Sequence, residues 1–145
     1  MAAKPETTFI ASIHKQLAGP YHVKMNNPFT GGVADVWYSG DLGDLWVEYK
    51  YLPITPARAD VKPDLSMIQR KWLTERHREG RNVAVIVGVK EGGVLLRDEE
   101  WLPPMDNETF KSRIISRKDI AEWILSQTGV RTTWPSLLPS QKLPE

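Results

Sequence analysis

The 145 residues contain no cysteine. Disulfides, thiolate-held zinc and cysteine nucleophiles are therefore excluded. No apolar run approaches the length of a membrane span, and no charged-then-apolar leader opens the chain. These absences predict a soluble, cytoplasmic protein with no membrane partner. Repeats and low-complexity tracts are missing too. Charge of one sign is nearly balanced: 19 Lys and Arg stand against 18 Asp and Glu, a formal net charge of +1. That balance argues against a nonspecific coat for a polyanion.

The chain does have 11 prolines and 6 tryptophans. Three prolines fall within residues 53–64 and three within the tail from Arg131, both without periodicity. The rest reads as one α/β domain over residues 1–130, followed by a proline-rich tail over 131–145. Phe9, Ile10, Ile13 and Leu17 recur at helical spacing and predict a helix over Glu6–Leu17. Tyr21–Met25 reads as a strand, residues 26–32 as a loop, and Val33–Tyr38 with Leu45–Leu52 as a hairpin. Residues 53–64 then form an exposed connection. Ser66-Met67-Ile68-Gln69 has the form of a capping box and opens a helix to Glu79, with Gly80 as its stop. Asn82–Val89 is nearly continuous in apolar residues, the mark of a strand buried on both faces, and Val94–Arg97 follows it. Lys111–Ile115 is expected to be an edge strand, and Ser116 to cap a helix reaching about Thr128. Element order thus predicts a mixed central sheet flanked by helices. Trp37, Trp46 and Trp72 are expected in the core, Trp123 on the inner face of the last helix, and Trp134 as an anchor for the tail or a partner contact.

The chemistry concentrates in the hairpin, GVADVWYSGDLGDLWVEYK over residues 32–50. Alternate side chains of a strand share a face, so Glu48 and Lys50 point the same way and Asp35 can reach the same corner. Asp35 and Glu48 are each set among apolar residues, where an unpaired charge costs several kcal/mol. A bound cation removes that cost. A simple ion pair of Glu48 with a lysine is the bland alternative, worth little if exposed. Two carboxylates and an ammonium at one corner suit a divalent cation, the chemistry of a metal-dependent phosphodiesterase.

Asp35, followed after twelve residues by Glu48-Tyr49-Lys50, resembles the signature of the PD-(D/E)XK nuclease superfamily. Ala34 stands where that family usually has proline. With the helix around Leu65–Leu73 and the apolar run Val83–Val87, residues 6–97 resemble the VRR-NUC-like and Holliday-junction-resolvase-like branches, as a phage-type stand-alone chain. The resemblance implies a restriction-endonuclease-like fold and a metal-dependent endonuclease on branched DNA. It further implies Mg²⁺ or Mn²⁺ held by Asp35, Glu48 and the Tyr49 carbonyl, with Glu6 as an added ligand from the first helix. Lys50 would place the nucleophile, with Gln69 orienting water.

Two of these residues carry a second reading. Gln69 serves either the helix cap or the site, or alternates between them, and Glu6 either complements its helix N-terminus or reaches the metal. Arg70, Lys71, Arg76, Arg78 and Arg81 cluster along one helix and suit DNA phosphates, although such a face is also commonly just solvated. His14 lies at the edge of its helix stripe and is read as a boundary or DNA-facing residue. Cutting both strands of a junction with one site per chain would need a homodimer. The rival classes are a flap, nicking or restriction-type nuclease, a non-catalytic DNA-binding module, and a scaffold.

Overall fold

The computed structural model describes residues 4–25 and 31–132. Trp134 and the rest of the tail lie outside the described residues, as does most of the loop before Gly31. Helix α1 spans Pro5–Gln16, with its proline in the first turn where no backbone donor is lost. Strand β1 (Tyr21–Lys24) pairs antiparallel with β2 (Val36–Gly40), and β2 with β3 (Gly43–Tyr51). The β2–β3 turn is tighter than the sequence predicts, because Gly40 pairs directly with Gly43 and leaves only Asp41 and Leu42 between them. Helix α2 (Met67–Arg78) carries the chain across to β4 (Val83–Val89), which pairs parallel with β3. A return through β5 (Gly92–Leu96) completes a five-stranded sheet whose spatial order matches the chain order.

Every residue of β4 is buried. Its alternate side chains feed two cores, one on each face of the sheet. Ala84 and Ile86 join Phe9, Ile13, Tyr38, Tyr49, Ile120 and Ile124 beneath α1 and α4 (Arg117–Thr128). Val83, Val85 and Val87 join Leu73, Leu96, Trp101 and Phe110 beneath α2 and α3 (Asn107–Ser112). Each such side chain contributes about 1.5–3 kcal/mol relative to exposure.

Three expectations need correction. Lys111–Ile115 is not a strand. Asp106 accepts a hydrogen bond from the Thr109 backbone N–H and starts α3, which leaves Ile115 only an isolated bridge to Gly93. Second, Trp37, Trp46 and Trp72 are only partly buried, Trp46 and Trp72 packed against the margin of the core, and the tryptophan that fills it is Trp101. α2 covers Trp46 only in part, through the edge of Trp72, and α4 meets β2 from the other side of the sheet. Third, the helical spacing of Leu65, Ile68, Trp72 and Leu73 predicts one inward stripe, yet Ile68 lies 59% exposed, against Gly31 and Gly32.

That last contact positions the site. Gly32 has a positive φ of 86°, and a Cβ there would stand 2.7 Å from the Ile68 carbonyl oxygen. Glycine lets the chain just before Asp35 touch the first turn of α2.

Candidate active site

Asp35 sits at the entry to β2, where its carboxylate accepts a hydrogen bond from the Tyr49 backbone N–H at 2.9 Å. The register places Val36 opposite Val47, so Asp35 stands beside Glu48 across the strand pair. Glu48 is 1% exposed in the middle of β3. Its Oε2 accepts from the Gln69 side-chain amide at 3.1 Å and lies 3.6 Å from the Lys50 Nζ. Its Oε1 is buried with no hydrogen-bond partner among the described residues. Burial, reinforced by the Asp35 carboxylate, pushes the Glu48 carboxyl up to about 8. Glu6, on the first turn of α1, is near enough to feel Asp35 and Lys50; burial first, then Asp35, raises its pKa.

The cap reading of Gln69 is met, and the same side chain also reaches Glu48. Its Oε1 accepts from the Ser66 backbone N–H at 3.0 Å, and its own backbone N–H donates to Ser66 Oγ at 3.1 Å, closing the capping box. The amide nitrogen remains free to donate to Glu48. One side chain thus fixes the start of α2 and ties it to β3.

Among the described residues, no three His, Asp or Glu side chains stand together as a ready ligand cage. The donor set at this corner is two carboxylates with backbone oxygen nearby. Such a set suits a hard cation that keeps part of its water shell, as Mg²⁺ does. The buried Oε1 has acceptor capacity left over, with Lys50 and Gln69 both on Oε2 and a second carboxylate, Asp35, alongside. The residues therefore fit a divalent cation.

No family model matches the chain. No curated protein matches it either. Among solved structures it is similar to that of Hjc from Archaeoglobus fulgidus, with a TM-score of 0.52 and 12% identity over 82% of this chain and 97% of that one. That protein is a Holliday junction resolvase. The likeness is one of fold. It supports the expected α/β class, a restriction-endonuclease-like mixed sheet with helices on both faces.

The basic cluster on α2 is less available than its sequence suggests. Arg76 is bound by Glu79 at 2.8 Å and reaches Glu75, Arg78 is bound by Glu99 at 2.9 Å, and Lys71 lies 4.0 Å from Glu75. Arg70 and Arg81 carry no ion pair among the described residues. The pairs with Glu75 and Glu79 follow from helical spacing and could have been read in advance; the pair with Glu99 joins distant segments and could not. His14 faces the opposite core, bonded to the Tyr38 hydroxyl at 2.7 Å and with its ring 4.2 Å from that of His22. Sequence reasoning also passed over Trp37 and Trp46 as neighbours of the site, although the two-residue spacing from Asp35 and Glu48 carries that signal.

Proposed function

We propose that the chain is a divalent-cation-dependent endonuclease on branched DNA, of the Holliday-junction-resolvase kind within the PD-(D/E)XK nucleases. Glu48 carries this reading. A buried carboxylate held on one oxygen by Gln69 and Lys50, unpartnered on the other, and set beside Asp35 is poorly accounted for as packing. The fold likeness to a junction resolvase supports it from a separate direction.

In this proposal Asp35, Glu48 and the Tyr49 carbonyl hold Mg²⁺ or Mn²⁺, with Glu6 as an additional ligand. The cation, when bound, supplies Lewis-acid polarisation of the scissile phosphate. Lys50, on the same strand face as Glu48, holds the attacking water by its ammonium and offsets charge gathering on the phosphoryl oxygens. Gln69 keeps Glu48 in one orientation, so that the ligand is in place before DNA arrives. Arg70 and Arg81 are the cations ready for DNA phosphates. Lys71, Arg76 and Arg78 would exchange carboxylates for phosphates on binding. A two-fold homodimer supplies the second site needed to cut both strands, in the cytoplasm of a phage host or another cell.

The test is cleavage of a labelled four-way junction beside flap and linear duplex substrates, in Mg²⁺, Mn²⁺ or EDTA. Paired symmetric nicks that require metal, and a rate roughly 10²–10⁴-fold lower in Lys50→Ala, are expected. Preference for flaps or linear duplex would replace the substrate and keep the chemistry. No cleavage of any substrate, with DNA binding intact, would leave a binding module.

A further inference from the structure

The sheet face that carries Asp35, Glu48 and Lys50 also carries a row of indoles. Trp37 pairs with Trp46 across β2 and β3, each two residues along its strand from a site carboxylate. Successive residues on one strand face are about 7 Å apart, so the row lies directly beside the carboxylate corner. The Trp37 and Trp46 rings are stacked, with centroids 5.9 Å apart and planes 24° from parallel. Trp72 of α2 meets Trp46 edge-on at 5.6 Å, and Tyr21 closes the far end against Trp37 at 5.9 Å. A groove of about 610 Å³ opens beside Trp46 and Trp72, with Asp44, Arg76, Arg81 and Asn82 on its walls. The Arg76 guanidinium lies over the Trp72 ring at 5.8 Å.

We propose that this row is a stacking surface for unpaired nucleobases, seating a single-stranded segment of DNA beside the carboxylate corner. The exposed parts of these indoles offer π-surface to any base, and a groove of this volume takes a small-molecule-sized group such as a nucleotide. Arg81 adds donors for phosphate oxygens, and Arg76 would do so on exchanging its carboxylate partners for phosphate. The same walls disfavour a second copy of the chain as occupant. A self-complementary contact through this patch would bring arginines of both copies together, and the cores of homodimer interfaces are poor in charge. What the seated strand is for rests on the nuclease reading; its binding does not.

Fluorescence anisotropy in EDTA, with a labelled short oligothymidylate and an abasic oligomer of equal length, separates the two. Both oligomers carry phosphates and only one carries bases. Wild type is expected to bind the base-bearing strand about tenfold more tightly or better. Trp46→Leu should remove that preference and Trp46→Phe should keep most of it. Equal affinity of wild type for both oligomers overturns the proposal, and that comparison needs no variant to fold. It is overturned as well if Trp46→Leu turns a dimer into a monomer on sedimentation and leaves base preference unchanged. Base preference in a chain that cuts no DNA would sink the proposed activity and keep the surface; cleavage without base preference would do the reverse.

Discussion

Glu48 is a buried carboxylate whose cost to stability a cation at the proposed site would offset. A carboxyl whose pKa rises from its ordinary 4.5 to about 8 on folding favours its neutral form. The stability it contributes in EDTA is fully present below about pH 4.5 and is lost as pH climbs through about 8. Glu48→Gln should remove that slope and leave the metal-free protein about 1–3 kcal/mol more stable at pH 8, read from thermal melts, while cleavage disappears. Mg²⁺ should raise the melting temperature of wild type and have little effect on the variant. A variant less stable than wild type at pH 8 would show the carboxylate to be structural. Asp35, Glu48 and Lys50 were legible in the sequence because strand geometry alone decides which residues share a face. The exposure of Trp37 and Trp46 was not, since it depends on which helices cover the sheet.

At the scale of the element, α2 is the piece that brings a non-strand residue to the corner. Its start was readable from Ser66 and Gln69, since a capping box is a local device. The bond from Gln69 to Glu48 was not, because it depends on how the helix lies over the sheet. The two parts separate experimentally. Ser66→Ala should cost about 1 kcal/mol in a denaturant melt and leave the cleavage rate within a few-fold. Gln69→Ala should lose a similar amount of stability and, if Glu48 is the proposed metal ligand, slow cleavage by roughly tenfold or more through loss of its hydrogen bond to Glu48. Equal effects of the two variants on rate would mean that only the helix start matters. The short helix α3 was missed for a comparable reason: its cap, Asp106, follows a run of prolines and leads only six residues of helix. Hydrophobic periodicity has little to show over so short a span.

Across the whole molecule, a chain of polar groups on the α1 face of the sheet joins α1 to β2 and β3. His14 bonds to the Tyr38 hydroxyl, which bonds to the Tyr49 hydroxyl at 2.5 Å, one residue from Glu48. Burial, then the nearby His22, lowers the His14 pKa from 6.5 to about 4. The native state therefore binds fewer protons here than the unfolded chain. Stability from this group is present above about pH 6.5 and is lost as pH falls toward about 4. After allowance for its partial exposure, about 1–2 kcal/mol is at stake. His14→Gln should flatten the acid limb of a stability-against-pH curve by that amount, and an unchanged limb would show that another group controls it. The sheet's plain order has a kinetic meaning. β1, β2 and β3 follow one another as a meander, so Asp35, Glu48 and Lys50 assemble through local pairing. The parallel joint between β3 and β4 must instead wait for the chain from Leu52 to Asn82, which includes α2, to close as a loop. In folding, the carboxylates can therefore come together by local pairing before Gln69 arrives to restrain Glu48.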